Sequence, residues 1–173
     1  LVMGFRCGMH EPFENYAAMR TFTDLFGGGT YSRLFMNVRE KQSLCYYCAA
    51  RLTAAKGILT VQSGVETENA EKAEEEILKP LEEMKAGGVT AEDLEKSHRS
   101  MEDFFLSVFD TPEELDGWLF SQVTDDEFQT PEDLVAEMKQ VTVEQVIEMA
   151  NNVTLDTVFL LKGTGTGDDG EVD

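Results

Sequence analysis

The stretch GGGTYSRLFMNVREKQSLCYYCAARL, residues 27–52, carries the signals that decide the fold. Its opening glycine run predicts the end of a helix, because glycine readily adopts the left-handed conformation in which helices terminate. Residues 30–43 then predict a short helical segment, and the closing LCYYCAARL, residues 44–52, is rich in strand formers. The stretch therefore predicts a helix, a second helical segment and a strand in succession.

The sequence on either side supplies the other strands of a sheet. ILTVQSGVE, residues 58–66, predicts a strand that is joined to 44–52 through AAKG, and we expect this antiparallel hairpin to form the middle of the sheet. LVMGFRC, residues 1–7, predicts an earlier strand, and TLDTVFLLK, residues 154–162, predicts the last one.

Helical periodicity and capping residues predict helices for most of the remainder. Residues 15–26 and 69–86 have apolar side chains at helical spacing, and Pro80 is expected to kink or break the second of these helices. Four further helix starts are marked by a threonine with an acidic residue or glutamine three positions later: Thr90, Thr111, Thr130 and Thr142.

This order of elements predicts an α+β fold, an antiparallel sheet with helices packed on one face. We expect one domain over residues 1–162 and an acidic, flexible tail over residues 163–173. Because the sequence begins inside an apolar run, we also expect a fragment of a longer gene product.

Composition narrows the classes of function. The chain has 34 acidic and 14 basic residues, a net charge of −20. Nucleic acid is therefore not an expected partner, because polyphosphate binding needs a basic patch. No apolar run approaches the length of about 20 residues that spans a bilayer, so we expect no membrane partner. Three cysteines are too few for a disulfide framework, which favours a cytoplasmic location.

The cysteines and histidines give little sign of metal or redox chemistry. Cys45 and Cys48 form a Cys-x-x-Cys, but on a strand they are expected on opposite faces, and two buried apolar side chains are the favoured interpretation. His10 and His98 belong to no zinc-binding spacing, and His98 is expected at the surface of a helix. We therefore expect no metal and no cofactor in this domain.

A basic and aromatic cluster remains as the candidate site. Arg39 offers a planar fork of donors for carbonyl or carboxylate groups, and Tyr46, seven residues later, offers a hydroxyl. Together they could hold a peptide backbone or stabilise an oxyanion. On the residues alone, an ion pair of Arg39 with Glu40 or Glu66 is the favoured alternative.

The same stretch resembles the second, non-zinc half of the pitrilysin or insulinase-like zinc peptidases, a group that includes the mitochondrial processing peptidase and its bacterial homologues. The resemblance is carried by four segments that match in order and spacing: Gly28-Gly29, Ser32-Arg33-Leu34-Phe35, Arg39-Glu40-Lys41 and Leu44-Cys45-Tyr46. Later features through residue 162 are similar to the family as well.

The resemblance implies one half of a two-half zinc metalloendopeptidase. Arg39 would hold a substrate carbonyl or carboxylate, and Tyr46 would donate to the scissile carbonyl as charge develops. Arg33 and Tyr47 are further substrate-binding candidates, and either Tyr46 or Tyr47 faces the cavity, because strand geometry allows only one. Zinc would come from a homologous domain or subunit, the substrate would be a peptide, and the full-length protein would be a dimer.

Two other interpretations stay open. The chain resembles most closely a bacterial subgroup that lacks zinc ligands and works beside a zinc-bearing paralogue; one branch is associated with modification of elongation factor P. This resemblance implies a catalytically inactive scaffold or peptide-binding subunit. The third interpretation is a generic α+β binding domain.

Overall fold

The sheet of the protein is antiparallel throughout the part that the computed structural model describes, residues 1–8, 15–123 and 128–163. Its four strands pair in the order β2-β3-β1-β4. They are β1 (Val2–Arg6), β2 (Cys45–Thr53), β3 (Ile58–Val65) and β4 (Thr154–Phe159). His10 and residues 164–173 of the predicted tail lie outside the described residues.

Six α-helices and one π-helix accompany the strands in the described part of the chain. They are α1 (Tyr16–Gly27), the π-helix (Phe35–Lys41), α2 (Ala70–Lys85), α3 (Ala91–Leu106), α4 (Pro112–Ser121), α5 (Pro131–Met138) and α6 (Val143–Asn152). The α+β prediction is thus confirmed. Every described helix is too short or too polar to span a membrane.

One face of the sheet forms the floor of the main core. Met3 and Phe5 of β1 pair with Val61 and Leu59 of β3, and all four side chains are buried. Strand residues alternate between faces, so these positions lie on the side against which the helices pack. Helix α1 covers this floor with side chains at helical spacing, including the fully buried Phe22.

The glycine at the end of α1 allows the helix to approach the sheet closely. A Cβ on Gly27 would lie 2.7 Å from the Ala50 Cβ and the Ala50 backbone nitrogen, and 2.8 Å from Leu34 Cδ1. Both distances are shorter than any normal contact, so only glycine fits between α1 and β2. The glycine run that the sequence suggests as a stop signal therefore also has a packing role.

The four threonines predicted to begin helices do so. In each case the threonine hydroxyl accepts a hydrogen bond from the backbone N–H three residues later, and at three of the four the later side chain bonds back to the threonine N–H. Such reciprocal caps satisfy donors that the first helical turn leaves unpaired. The helical second half is therefore determined largely by local sequence.

Three expectations about the elements differ from the structure. Helix α2 continues through Pro80, so the break that was one of the two expected outcomes does not occur. Strand β2 lies at an edge of the sheet and not in its middle. His98 is half-buried and not fully exposed at the surface of its helix, and burial followed by the charge of Lys139 lowers its pKa.

Candidate functional site

Arg39 is presented by a π-helix, a rare conformation that in proteins often occurs at functional sites. The guanidinium carbon of Arg39 lies 4.6 Å from the centroid of the Phe35 ring, a cation–π contact that positions the side chain. The π-helix ends at Lys41, and Ser43, two residues later, has a φ of 51° in the left-handed region. There the Ser43 N–H donates to the Arg39 carbonyl over 3.0 Å.

A β-bulge directs Tyr46. Cys45 pairs with Val65 and Tyr47 pairs with Gly64, so Tyr46 is the extra residue on β2. Bulges alter the alternation of side chains and frequently redirect a residue beside a functional site. The bulge explains how two adjacent tyrosines can both be exposed, Tyr46 to 71% and Tyr47 to 55%.

The bulge also corrects the expected placement of the cysteines. Cys48 is buried in the main core and Cys45 packs against the same core, so the two do not lie on opposite faces. Burial, followed by the charge of the neighbouring Cys45, raises the pKa of the Cys48 thiol to about 12. A thiol with such a pKa is an unreactive side chain at neutral pH. The interpretation of Cys48 as a buried apolar residue agrees with this position.

Arg39 and Tyr46 line the same open pocket, which has a volume of about 380 Å³. The pocket lies where the π-helix, the start of β2 and the end of β3 meet. Its other lining residues are Glu40, Ser43, Leu44, Cys45, Glu66 and Asn69. Thus the two residues that the sequence suggests as a pair are brought together at the surface, with open space beside them.

The electrostatics of the pocket differ for its two principal residues. The Tyr46 hydroxyl donates a hydrogen bond to Glu66 Oε1, and this bond followed by the negative charge of Glu66 raises the pKa of Tyr46. Arg39 forms no ion pair with any residue that the structure describes. The expected pairing of Arg39 with Glu40 or Glu66 is therefore not seen, and the guanidinium remains available to a ligand.

The other two candidates, Arg33 and Tyr47, do not line this pocket. One guanidinium nitrogen of Arg33 donates to the Gly88 carbonyl over 2.7 Å and to Asp93 Oδ2 over 2.8 Å. These contacts tie the segment before the π-helix to the start of α3. The Tyr47 ring lies over Gly64, since a Cβ there would be 2.5 Å from the ring. Tyr46, not Tyr47, thus faces the pocket.

Metal coordination has no support in the described residues. Over residues 1–8, 15–123 and 128–163, no group of three or more His, Cys, Asp or Glu side chains is arranged to hold a metal ion. None of the three cysteines, all in the described part of the chain, forms a disulfide. Burial raises the pKa of the Cys7 thiol to about 11, as it raises that of Cys48. The donor set in the described residues therefore does not fit a zinc ion.

Sequence reasoning missed two residues that line the pocket, Ser43 and Asn69, and it considered Glu66 only as an ion-pair partner of Arg39. None of the three belongs to a recognisable motif. The position of Glu66 in the sequence could have indicated its role. It directly follows β3, whose last residue pairs with Cys45 at the start of β2. The left-handed conformation of Ser43 had no such signal, because it depends on how the π-helix ends.

The fold and the pocket together define an α+β domain with a polar surface pocket and, among the described residues, no metal cluster. A sequence model of the family described as the peptidase M16 inactive domain matches residues 1–101. The chain belongs to this family, and the resemblance drawn from residues 28–46 is confirmed.

Three similar proteins agree with this assignment. A probable inactive metalloprotease of Bacillus subtilis, YmfF, is 36% identical over 95% of this chain and 38% of its own. A conserved protein from Enterococcus faecalis has a TM-score of 0.79 at 25% identity, over 89% of this chain and 36% of its own. The peptidase M16 inactive domain from Pseudomonas fluorescens has a TM-score of 0.71 at 25% identity, over 87% and 37%. This chain spans less than two-fifths of the length of each.

Proposed function

We propose that this chain is the substrate-holding, non-metal half of a zinc metalloendopeptidase of the processing-peptidase type. Zinc would be supplied by a homologous domain or subunit, and the two halves would act as a dimer-like pair in the cytoplasm. The observation that supports the proposal best is that Arg39 and Tyr46 line one open pocket.

The chemistry of the pocket suits an extended peptide. The Arg39 guanidinium provides parallel N–H donors for a main-chain carbonyl or a carboxylate, and the Phe35 ring limits its motion. The Tyr46 hydroxyl is a single donor on an exposed side chain, so it can leave Glu66 and donate to a carbonyl oxygen that gains negative charge. The part of this chain in the reaction is to bind and orient the peptide.

Peptide binding can be tested on the chain by itself. A library of blocked, uncharged decapeptides is titrated into the ¹⁵N-labelled protein, and amide shifts are recorded. We expect the shifts to concentrate at Ser43, Leu44 and Asn69, and to be lost in Arg39→Ala. The matched control is Arg51→Ala, since Arg51 is also exposed, on β2, but does not line the pocket. Shifts that persist in Arg39→Ala, or that are equally lost in Arg51→Ala, would refute the role of Arg39.

Catalytic participation needs the zinc-bearing half as well. In the two-half assembly, Tyr46→Phe removes only the hydroxyl, and loss of one oxyanion donor typically lowers kcat by about 10²–10³-fold. Tyr47→Phe is the control and should leave the rate of peptide cleavage unchanged. Equal rates for wild type and Tyr46→Phe would exclude Tyr46 from the reaction.

A second candidate function is a catalytically inactive, peptide-binding subunit that partners a zinc-bearing paralogue. Two observations favour it: the relative YmfF is named a probable inactive metalloprotease, and the Tyr46 hydroxyl is already bonded to Glu66. This alternative predicts the peptide-induced shifts described above, but no cleavage in any assembly of this chain with its partner.

A further inference from the structure

Helix α4 packs poorly against the rest of the protein. It has ten residues, none fully buried, and only Leu115 and Trp118 are half-buried. An isolated helix shorter than about 12–15 residues is marginal in water, because helices gain most of their stability from packing an apolar face. The Thr111 cap contributes only about 1 kcal/mol. The helix therefore presents apolar surface that the described part of the chain leaves uncovered.

The chain around α4 exposes further large apolar side chains. Residues 104–123, which we call the α4 surface, include five that are between 44% and 76% exposed: Phe104, Phe109, Leu119, Phe120 and Val123. Single exposed apolar residues need no explanation, but five large ones within residues 104–123 are more than isolated exposure and favour an interaction surface. Aromatic residues are also the commonest energetic anchors of protein interfaces.

The charge around this surface selects the occupant. Residues 100–123 and 128–138, which the structure describes here, contain nine Asp and Glu and no Lys, Arg or His. Exposed carboxylates lie in the same segment of the chain as the exposed apolar side chains, among them Asp103, Glu113 and Asp116. A second copy of this chain would place like charges against one another, and an anionic membrane would be repelled. A partner that combines apolar side chains with Lys and Arg matches both the exposed apolar side chains and the negative charge of the α4 surface.

We propose that the α4 surface is a docking site for a basic, amphipathic helix of a partner protein. Apolar side chains of that helix would cover Phe104, Leu119 and Phe120, while its Lys and Arg residues would meet the surrounding carboxylates. This site lies apart from the pocket of Arg39 and Tyr46, with which it shares no residue. It does not depend on the proposed function.

The test uses a fluorescein-labelled, 18-residue peptide of Leu and Lys arranged with helical periodicity. Fluorescence anisotropy with the whole chain should show saturable binding that weakens at least about tenfold between 50 and 300 mM NaCl, because exposed charges are screened at the higher salt. A Leu and Glu peptide of the same pattern should not bind. Equal binding of the acidic peptide would overturn the proposal.

Two matched variants separate docking from general attraction to an acidic protein. Phe120→Ala removes a side chain that is 76% exposed, and Leu161→Ala removes one that is 80% exposed beyond β4, so neither should affect folding. We expect Phe120→Ala to weaken binding by about 5–30-fold, the usual effect of removing an interface anchor, and Leu161→Ala to leave it unchanged. An equal effect of the two variants would overturn the proposal.

The other occupants give different results. Self-association in sedimentation that Phe120→Ala abolishes would assign the surface to a second copy, and binding to phosphatidylglycerol vesicles that Phe120→Ala abolishes would assign it to a membrane; either outcome overturns the proposal. Arg39→Ala should leave binding of the Leu and Lys peptide intact. The docking site and the peptide pocket can thus fail independently.

Discussion

The Asp24 carboxylate of α1 is buried where α1 meets α3. Ser97 Oγ donates to Asp24 Oδ2 over 2.6 Å, and the Tyr31 hydroxyl donates to the same oxygen. Burial nevertheless raises the pKa of Asp24, because the two hydrogen bonds and the positive charge of Arg20 only partly oppose it. A carboxyl whose pKa is higher in the folded state favours folding when it is protonated.

The pH dependence of Asp24→Asn follows from this sign. The contribution of Asp24 to stability is complete below its unfolded pKa of about 3.9 and is lost as pH rises through the higher folded pKa. Asn resembles the neutral form, so the variant should gain free energy of unfolding relative to wild type as pH rises from about 4 to 8. Urea unfolding across this range measures the difference. The exposed Asp116→Asn should show no such trend; a wild-type advantage that grows with pH would contradict the sign.

The candidate site was predictable only as a list of residues. The spacing of Arg39 and Tyr46 is visible in the sequence, but simple alternation could not decide between Tyr46 and Tyr47. The bulge that decides it depends on how β2 pairs with β3, a contact between distant parts of the chain. The structural role of Arg33 could not be predicted either, because its partners Gly88 and Asp93 lie 55 and 60 residues away in the sequence.

At the scale of elements, substitution by alanine is expected to have opposite effects on stability at two glycines, one in tight packing and one in open space. In Gly27→Ala the new methyl group meets the Ala50 backbone nitrogen at 2.7 Å, and such overpacking typically costs about 1–3 kcal/mol. Gly117, within α4, has nothing within 4 Å, so Gly117→Ala should gain about 0.5–1 kcal/mol through helix propensity. Urea unfolding of both variants measures the two effects. Destabilisation by Gly117→Ala, or none by Gly27→Ala, would contradict this account of the packing.

The elements that were predicted correctly are those whose signals are local. Helices α3 and α6 begin at threonines whose caps are completed within three residues, so the sequence alone specifies them. The π-helix has no comparable local signal, and the sequence indicates only a helical segment there. The effect of Pro80 was misjudged because local sequence does not show tertiary packing. Proline disfavours a helix interior, but α2 buries Ile77, Leu81 and Met84 in the core, and that packing maintains the helix.

At the scale of the whole molecule, charge is the dominant feature of the surface. Seven ion pairs join described residues, all of them at least partly exposed, and pairs of this kind contribute about 0–1 kcal/mol each. With 34 acidic and 14 basic residues, pairing every base still leaves 34 − 14 = 20 carboxylates without a cation. Repulsion among them should therefore outweigh the ion pairs in the response to salt.

The expected consequence is that NaCl stabilises the protein. Screening weakens both the ion pairs and the repulsion, and the repulsion is the larger of the two at a net charge of −20. Between 20 and 500 mM NaCl at pH 8, a gain of about 1 kcal/mol would raise Tm by roughly 2–4 °C. The increment should shrink at pH 5, closer to the pI of about 4.3, where fewer carboxylates are charged. Calorimetry at both pH values measures it, and a Tm that falls with salt at pH 8 would show that the ion pairs outweigh the net charge.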